Sequence, residues 1–396
     1  MTRLRRTPYA FFYLEDDLQL DISGLIRGDA PGAAADARII ALALLTGDRH
    51  RLGREELELL ASVPAERWVA VAGRDPDLIA SLSEKGLLLV DGEVNGHTAL
   101  RERDEALSAN QWNLYAALYH FMTQWTGVDI GAVDEAAAQF ARQTVAQIDA
   151  FVAQHGPAPE PFPELSAIEA VRLPGVVRRD GLFATLAARR TTRAFAAQPM
   201  KLEELDVVLR YVFGCHGYGE AVPGLVWVRR TSPSGGALHP IEAYPLISNV
   251  EGLKSGIYHY RAREHSLGLL AAVDPPEMRR IATSFMCGQG YFGAAHVSFV
   301  LTARFYRNHW KYRRHQKAYA GILMDAAHLS QTQYLVSAEL GLGAFVTIAL
   351  NAREIEQCLG LDGVSEGVIA MTGCGPKAAG DSPLSLPIST NPSVDP

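Results

Sequence analysis

Three guanidinium groups and two hydroxyls lie within five consecutive residues, Arg189, Arg190, Thr191, Thr192 and Arg193. Arginine binds phosphate oxygens bidentately, and threonine hydroxyls add short hydrogen bonds, so this stretch suits a phosphate group. The same cluster can instead be the solvated basic end of a helix, where arginine complements the helix dipole. The residue types alone leave both interpretations open.

The segment 232–240 carries two serines, Ser232 and Ser234, ahead of the adjacent glycines Gly235 and Gly236. Backbone amides next to glycine can approach a flat or anionic ligand closely. The alternative is an ordinary turn before the next predicted strand.

Lys311 and Tyr312 offer a proton donor and a proton acceptor side by side. Burial can tune the pKa values of such a pair, so it suits proton transfer. The alternative is a basic exposed loop just ahead of a long helix.

Two glycine-rich turns follow, one formed by Gly341, Leu342 and Gly343 and one that includes Gly375 and Lys377. The second turn could close over a phosphate, but both also fit a helix C-cap or the end of a domain. The chain contains neither a G-x-x-x-x-G-K-[ST] phosphate loop nor a G-x-S-x-G nucleophile elbow.

The 396 residues carry 37 Lys and Arg against 44 Asp and Glu, a net charge of −7. This acidic balance argues against a general nucleic-acid-binding protein. Four isolated cysteines predict neither a disulfide framework nor a zinc site, and they suit a reducing cytoplasm. His309 and His315 are too far apart in sequence for a helical metal pair, so we predict no metal site. The chain has no apolar run long enough to predict a membrane span.

Residues 1–100 show a winged-helix-like pattern of strands, three helices and a terminal hairpin. The predicted strands cover 9–14, 18–22 and 87–90, with an acidic turn at 15–17, and the predicted helices cover 39–44, 55–60 and 76–86. Residues 101–165 are predicted to form a helical connector and then a linker with proline at every second position.

From 166 to 377 helices and strands alternate in an α+β pattern, and the tail 378–396 is predicted to be mobile. The predicted helices are 181–190, 202–213, 274–287, 317–340 and 352–359, and the predicted strands are 242–249, 256–260, 296–304, 345–350 and 367–372.

Seven segments, in this order and spacing, resemble the nitroreductase-like FMN flavoproteins, and among them the SagB-type dehydrogenases (azoline oxidases that mature ribosomally made peptides). The matching segments are 189–195, 232–244, 256–260, 311–312, 323–331, 338–343 and 373–376. Arg313 replaces the glycine that commonly follows the Lys-Tyr pair, and His239 replaces a usual aromatic residue. These departures change the expected substrate rather than the expected cofactor.

The resemblance implies a nitroreductase-like domain and a homodimer with FMN at the subunit interface, where helix 317–340 contributes contacts. It implies that the FMN phosphate and ribityl chain are held by Arg189, Arg190, Thr191 and Arg193. It also implies further flavin contacts from Ser232, Ser234, Gly235, Gly236, Gly341, Leu342, Gly343, Gly375 and Lys377.

The resemblance also implies that Lys311 and Tyr312 are catalytic in the oxidation of an azoline to an azole. That reaction removes a proton from one carbon, which Tyr312 can accept, and a hydride from its neighbour, which passes to flavin N5. Oxygen is the expected electron acceptor. A related dehydrogenation of a modified peptide stays open.

The expected partners are a precursor peptide and a peptide cyclodehydratase or cyclase. The winged-helix-like module at 1–100 is expected to pair a leader peptide with an edge strand. A structural cap or a DNA-binding module are the alternatives, the latter disfavoured by the acidic residues 15–17. Two other functions compete: an NAD(P)H-dependent nitroreductase-type reductase, and a flavin-free peptide-binding scaffold subunit.

Overall fold

The computed structural model describes residues 2–20, 33–92, 97–130 and 173–380, with short pieces between 149 and 171. The chain divides into two compact units, the first comprising 1–124, 304–322 and 360–367 and the second comprising 125–303, 323–359 and 368–396. Much of the helical connector and linker predicted over 101–165, and the tail beyond 380, lie outside the described residues. The predicted domain limits stay predictions.

The described elements, in chain order, are strands and helices of both units. They are β1 (Arg3–Arg6), β2 (Ala10–Leu20), β3 (Ala33–Ala43), β4 (Asp48–Leu52), α1 (Arg54–Ser62), β5 (Val69–Ala70), α2 (Pro76–Glu84), β6 (Leu88–Val90), α3 (His97–Ala109), α4 (Leu114–Met122), α5 (Leu182–Ala188), α6 (Leu202–Val208), β7 (Gly217–Val222), β8 (Leu225–Arg229), β9 (Ile241–Ile247), β10 (Gly256–Arg261), β11 (Ser266–Ala272), α7 (Pro275–Phe285), α8 (Gly290–Gly293), β12 (Val297–Arg304), α9 (Phe305–Tyr312), α10 (Ala318–Glu339), β13 (Gly343–Thr347), α11 (Ala352–Leu359) and β14 (Glu366–Gly375).

The first unit contains an antiparallel sheet in the order β5-β1-β6, with α1 and α2 packed around a leucine-rich core. Two of the helices predicted here are confirmed, at α1 and α2. Helix α2 starts at Asp75, whose carboxylate accepts a hydrogen bond of 2.8 Å from the Asp77 N–H. Its end is followed by Gly86 at φ +68°, a left-handed conformation that glycine adopts without strain. The winged-helix character of this region stays a prediction.

The acidic turn predicted at residues 15–17 is wrong. A single strand, β2, runs through these residues and pairs with β3 in continuous register, with Glu15 opposite Arg38 and Asp17 opposite Asp36. The Arg49 guanidinium forms an ion pair with the Glu15 carboxylate. Acidic residues therefore occupy a strand here, because cross-strand pairing outweighs their weak strand propensity.

The helix predicted at 39–44 is also wrong, since residues 39–43 belong to strand β3 and residue 44 begins the following turn. Strand β3 pairs with β2 on one side and with β4 on the other. A short apolar run fits a buried strand as well as a buried helix, and only its pairing partners decide between them.

The helical connector predicted from residue 101 is confirmed in its first part as two helices, α3 and α4, separated at residues 110–113. Asn113 caps α4, accepting a hydrogen bond of 3.0 Å from the Tyr115 N–H. Trp112 lies in the break, is buried, and donates from Nε1 to the Val364 carbonyl at 2.9 Å. Its ring packs on His120 and Phe305 at centroid distances of 5.3 and 4.5 Å, so it joins the helical segments of this unit.

His120 in this cluster is expected to make the protein's stability fall in acid. Burial lowers the pKa of His120 to about 3 from its ordinary 6.5, because the charged imidazolium loses its hydration. A lowered folded-state pKa gives stability that is present above pH 6.5 and lost as the pH falls, by about 1.4 kcal/mol for each pH unit. Urea unfolding at about pH 5 and 7 should show this loss in wild type and a smaller loss in His120→Gln.

His315→Asn, at an exposed site, is the control and should behave as wild type. If the unfolding free energy of His120→Gln depends on pH as strongly as that of wild type, the account is contradicted.

The second unit is built on a six-stranded sheet in the order β11-β10-β9-β12-β14-β13. Helices α7, α8 and α11 contribute to its core, in which Phe292 stacks on Phe345 with ring centroids 4.1 Å apart. Helix α7 begins at Asp274, which accepts from the Glu277 N–H at 3.1 Å, and prolines fill its first turn. Among the described helices, none combines the length and apolar character that a bilayer crossing requires.

Most of the elements predicted for this unit are confirmed, within a few residues at their ends. The long helix predicted at 317–340 is α10, and the last strand is β14. Three strands were not predicted: β7 and β8, which form a separate hairpin, and β11, which pairs with β10. Strand β7 was not predicted because it contains Gly217 and Gly219, and glycine is depleted in strands.

Candidate functional site

The arginine-threonine segment lies along strand β13. Helix α5 ends at Ala188, and Thr191 then forms an isolated parallel bridge with Ala344. The Thr192 N–H donates to the Ala344 carbonyl at 2.8 Å. The chain therefore leaves the helix and follows the edge strand of the sheet.

The two glycine-rich turns meet at this same place. Gly343 and Gly375 are directly paired in the β13–β14 ladder, and Phe195 forms an antiparallel bridge with Lys377. A Cβ at Gly343 would lie only 2.5 Å from the Thr192 side chain. The structure thus brings together three of the predicted segments, 189–195, 341–343 and 375–377.

Helix α10 supports this cluster through Tyr334. The Thr191 hydroxyl lies 3.0 Å from the Tyr334 hydroxyl, and the Arg189 guanidinium lies 5.2 Å from the centre of the Tyr334 ring. Arg193 is half-buried in the same stretch. Arg190 instead turns back, donating from Nη1 to the carbonyls of Ala187 and Arg189 at 2.7 and 2.8 Å, as expected for a basic residue at a helix end.

A cavity of about 490 Å³ adjoins the two turns. Its lining includes Gly341, Leu342, Lys377 and Lys201. Gly341 has φ +72°, and no atom lies within 4 Å of the position its Cβ would take, so the backbone is open there. The lining also includes the carboxylate of Glu204, whereas the arginines and threonines of 189–193 lie outside it. Taken together with that neighbouring segment, the cations, hydroxyls and open glycine backbone are the donor set that the phosphate end of FMN needs.

The serine-glycine segment 232–236 is held by a different part of helix α10. The Ser234 hydroxyl donates to Asp325 Oδ2 at 2.5 Å, and the Gly235 N–H donates to Oδ1 at 3.4 Å. The Ser232 hydroxyl lies 2.6 Å from the Thr332 hydroxyl. These contacts fix the segment against one face of the helix.

The serine-glycine segment and the arginine-threonine segment lie on opposite faces of α10. Asp325 and Thr332 are seven residues apart and share a face, whereas Tyr334 follows Thr332 by two residues, a rotation of about 200°. The structure therefore does not bring residues 232–236 together with residues 189–193 within one chain.

Backbone strain is concentrated in the serine-glycine segment. Gly236 has φ +64°, and the non-glycine residues Ala237 and His239 have φ +55° and +47°. The His239 N–H donates to the Ser234 hydroxyl at 2.9 Å, which helps to hold this conformation. Non-glycine residues in left-handed conformations persist where surrounding contacts enforce them, and they cluster at functional sites.

Asp325 is expected to cost stability at neutral pH. Burial raises the pKa of Asp325 above its ordinary 3.8, despite the hydrogen bonds from Ser234 and Gly235. A raised folded-state pKa gives stability that is complete below 3.8 and lost as the pH rises through the shifted pKa. The thermal midpoint of Asp325→Asn, relative to wild type, should therefore be higher at about pH 7 than at about pH 4. Asp274→Asn, at an exposed helix cap, is the control, and a difference that does not grow with pH contradicts the account.

Lys311 and Tyr312 belong to the first unit and form the last turn of α9, not a loop. The Lys311 ammonium lies 5.5 Å from the centre of the Tyr312 ring. Lys311 is exposed and Tyr312 is half-buried. Arg313 follows at φ +50°, and its N–H donates to the His309 carbonyl at 2.6 Å. The helix end therefore fixes the backbone that carries both side chains.

Two contributors to the site were missed by sequence reasoning as individual residues, namely Asp325 and Tyr334. Both lie on helix α10, and the carboxylate of Asp325, set between apolar residues in the first half of that helix, is the signal that could have found it. Across the described part of the chain, no group of three His, Cys, Asp or Glu side chains is arranged to hold a metal ion.

Comparison with known proteins assigns the second half of the chain. Residues 186–375 match the model of the nitroreductase family and form a nitroreductase-family domain. This confirms the nitroreductase-like fold predicted for the C-terminal region.

Two relatives have names that describe peptide processing. The trifolitoxin-processing protein TfxB of Rhizobium leguminosarum bv. trifolii is 29% identical over 136 residues, 34% of this chain and 36% of that protein. The microcin B17-processing protein McbC of Escherichia coli is 30% identical over 140 residues, 34% of this chain and 50% of that protein. The chain thus spans about a third of the first relative and half of the second.

Among solved structures, a chain of the E. coli microcin synthetase McbBCD complex with truncated pro-MccB17 bound is similar to this protein. The match covers 69% of this chain and 94% of that chain, with 20% sequence identity and a TM-score of 0.47.

Proposed function

We propose that this protein is an FMN-dependent dehydrogenase that oxidises a ribosomally synthesised peptide in the cytoplasm, converting an azoline to an azole or making a related double bond. The observation that carries the proposal is the meeting of segments 189–195, 341–343 and 375–377 in a nitroreductase-family domain. The similarity to the processing proteins TfxB and McbC supports a peptide as the substrate.

The phosphate end of FMN is assigned to the cluster beside β13. Arg189, Thr191 and Arg193 would bind phosphate and ribityl oxygens, with Lys377 closing from the neighbouring strand. Arg190 completes this set in the proposal, although its guanidinium caps α5 in the structure and would have to turn outward. Gly341, Leu342, Gly343 and Gly375 would let the backbone come close to the cofactor.

A second copy of the chain would complete the site. Ser232, Ser234, Gly235 and Gly236 lie across α10 from the phosphate cluster, so in our proposal they contact the flavin bound to the partner. Helix α10 also exposes apolar side chains, including Met324 at 59% exposure, that a homodimer would cover.

The chemistry divides between the cofactor and this chain. When bound, FMN supplies the hydride acceptor at N5. Tyr312 would take the proton from the adjacent substrate carbon, with the Lys311 ammonium 5.5 Å from the centre of its ring. Oxygen would then receive the two electrons, so that each turnover removes two hydrogens from the peptide.

The proposed partners are the precursor peptide and the cyclodehydratase or cyclase that makes its rings. The module at residues 1–100 would bind the leader of that peptide by strand addition. Deleting the leader from a precursor should then weaken binding without changing the flavin spectrum.

The absorption spectrum and the choice of reductant test this function. The purified protein should be yellow, release FMN on denaturation, and consume oxygen with an azoline-containing peptide but not with NAD(P)H. Rapid flavin reduction by NAD(P)H without peptide turnover would instead indicate a nitroreductase-type reductase. A colourless protein that binds peptide and refuses added FMN would indicate a scaffold subunit.

A further inference from the structure

The β7–β8 hairpin forms a two-stranded sheet of its own, separate from the other described sheets. Isolated two-stranded hairpins are marginally stable in water, so this one requires support from its surroundings. It nevertheless exposes two large aromatic rings, Tyr218 at 57% and Trp227 at 50% exposure. An exposed aromatic surface of this kind is typical of a site of interaction.

The cross-strand register leaves one face of the hairpin open. Trp227 lies opposite Gly219, and Arg229 lies opposite Gly217. No atom lies within 4 Å of the position a Cβ would take at Gly219, and only the Arg229 Cβ, at 3.9 Å, comes near that position at Gly217. The side chains of Trp227 and Arg229 thus lie opposite glycines that have no side chain. The space above these glycines forms a trough beside the indole ring and the guanidinium.

The trough opens into a cavity of about 760 Å³ whose far wall is the serine-glycine segment. The hairpin contributes Tyr218, Trp227 and Arg229, and the opposite wall contributes Ser232 and Ser234. This volume lies within the roughly 300–1,000 Å³ that ligand pockets span. The hairpin and the serine-glycine segment therefore line one cavity of ligand size.

The charges on the hairpin select the kind of molecule. Arg229 is an exposed cation that projects from the same face as Trp227, and Arg230 follows it in the cavity lining. Glu220 is the acidic residue among the described residues that line the cavity, and its carboxylate accepts a hydrogen bond of 2.7 Å from the Gly224 N–H in the hairpin turn. Tyr218 is fixed by Arg263, whose Nη2 donates to its hydroxyl at 2.8 Å. A planar ring next to a negative charge complements this surface.

We infer that the β7–β8 hairpin is the peptide-docking wall of the site, where Trp227 stacks on a planar ring of the substrate and Arg229 pairs with an acidic side chain beside that ring. This inference rests on the proposed function and names the class of peptide segment that the site accepts. Offset stacking between planar rings and an exposed ion pair are each modest contributions, so both residues should affect binding rather than folding.

Two fluorescein-labelled glycine-rich peptides test the inference, each with one thiazoline ring, followed by aspartate in one probe and by asparagine in the other. With FMN-loaded protein, Trp227→Ala should raise Kd and KM for both probes about tenfold, with kcat and FMN content unchanged. Arg229→Ala should raise Kd about fivefold for the aspartate probe alone, and added salt should abolish that difference. Trp125→Ala, at a 44% exposed tryptophan outside the cavity, and Arg280→Ala, on an exposed helix face, should match wild type.

Unchanged Kd in Trp227→Ala would overturn the inference, as would absence of probe binding to wild type. Loss of FMN from Trp227→Ala would assign the hairpin to the cofactor and overturn it as well. Probe binding that depends on Trp227, without any oxidation by wild type, would contradict the proposed function and still support the docking wall.

Discussion

Tyr312→Phe is expected to lower the rate of peptide oxidation about 10²- to 10⁴-fold while the protein keeps its FMN. The phenol oxygen is the proposed proton acceptor, and phenylalanine retains the ring on the last turn of α9 without it. The ring position 5.5 Å from the Lys311 ammonium is therefore preserved. Steady-state oxidation of an azoline peptide, together with the FMN-to-protein ratio, measures both effects.

Tyr306→Phe is the matched control for this prediction. Tyr306 lies on the same helix and is 42% exposed, and nothing in the proposed chemistry uses its hydroxyl. Its rate should equal that of wild type. Full turnover in Tyr312→Phe would remove Tyr312 as the base, and equal losses in both variants would show that α9 tolerates no change in its tyrosines.

Gly343→Ala is expected to weaken FMN binding about tenfold or more. The added methyl would lie 2.5 Å from the Thr192 side chain, so the segment beside β13 must move away. That movement breaks the alignment of Thr191 with Ala344 and displaces the neighbouring arginines. Fluorescence titration of the apoprotein with FMN measures the change in Kd.

Gly321→Ala tests whether the loss is specific to this place. Gly321 lies in helix α10 with open space around its Cβ position, so alanine should leave FMN affinity unchanged and stabilise the helix by about 0.5–1 kcal/mol. Undiminished FMN affinity in Gly343→Ala would contradict the assignment of this cluster to the phosphate. Arg193→Ala should weaken FMN retention in the same direction.

Local sequence signals predicted the second unit well where capping or turn residues mark the start or the end of an element. Asp274 and two prolines mark the start of α7, and Gly341 marks the end of α10. The failures lie where pairing with distant strands decides the structure. Residues 39–43 form a strand because β2 and β4 flank them, and the acidic residues 15–17 lie in a strand because they pair with β3.

In the candidate site too, local signals could be read from the sequence, whereas the contacts set by tertiary packing could not. Arginine, serine and glycine clusters are visible locally, so the sequence could indicate segments suited to phosphate and flavin, and the structure brings three of them together. The sequence did not predict that Arg190 turns back onto α5, or that Asp325 and Tyr334 hold separate segments on opposite faces of α10. Those facts depend on which helix faces pack against which loops, and single-sequence patterns do not contain that information.

Anaerobic mixing of the FMN-loaded protein with an azoline-containing peptide tests the central claim most directly. The account predicts loss of the oxidised flavin spectrum, with one peptide losing two hydrogens for each FMN reduced, and recovery of that spectrum when oxygen is admitted. A flavin that stays oxidised with azoline peptides but is reduced by NAD(P)H would contradict it.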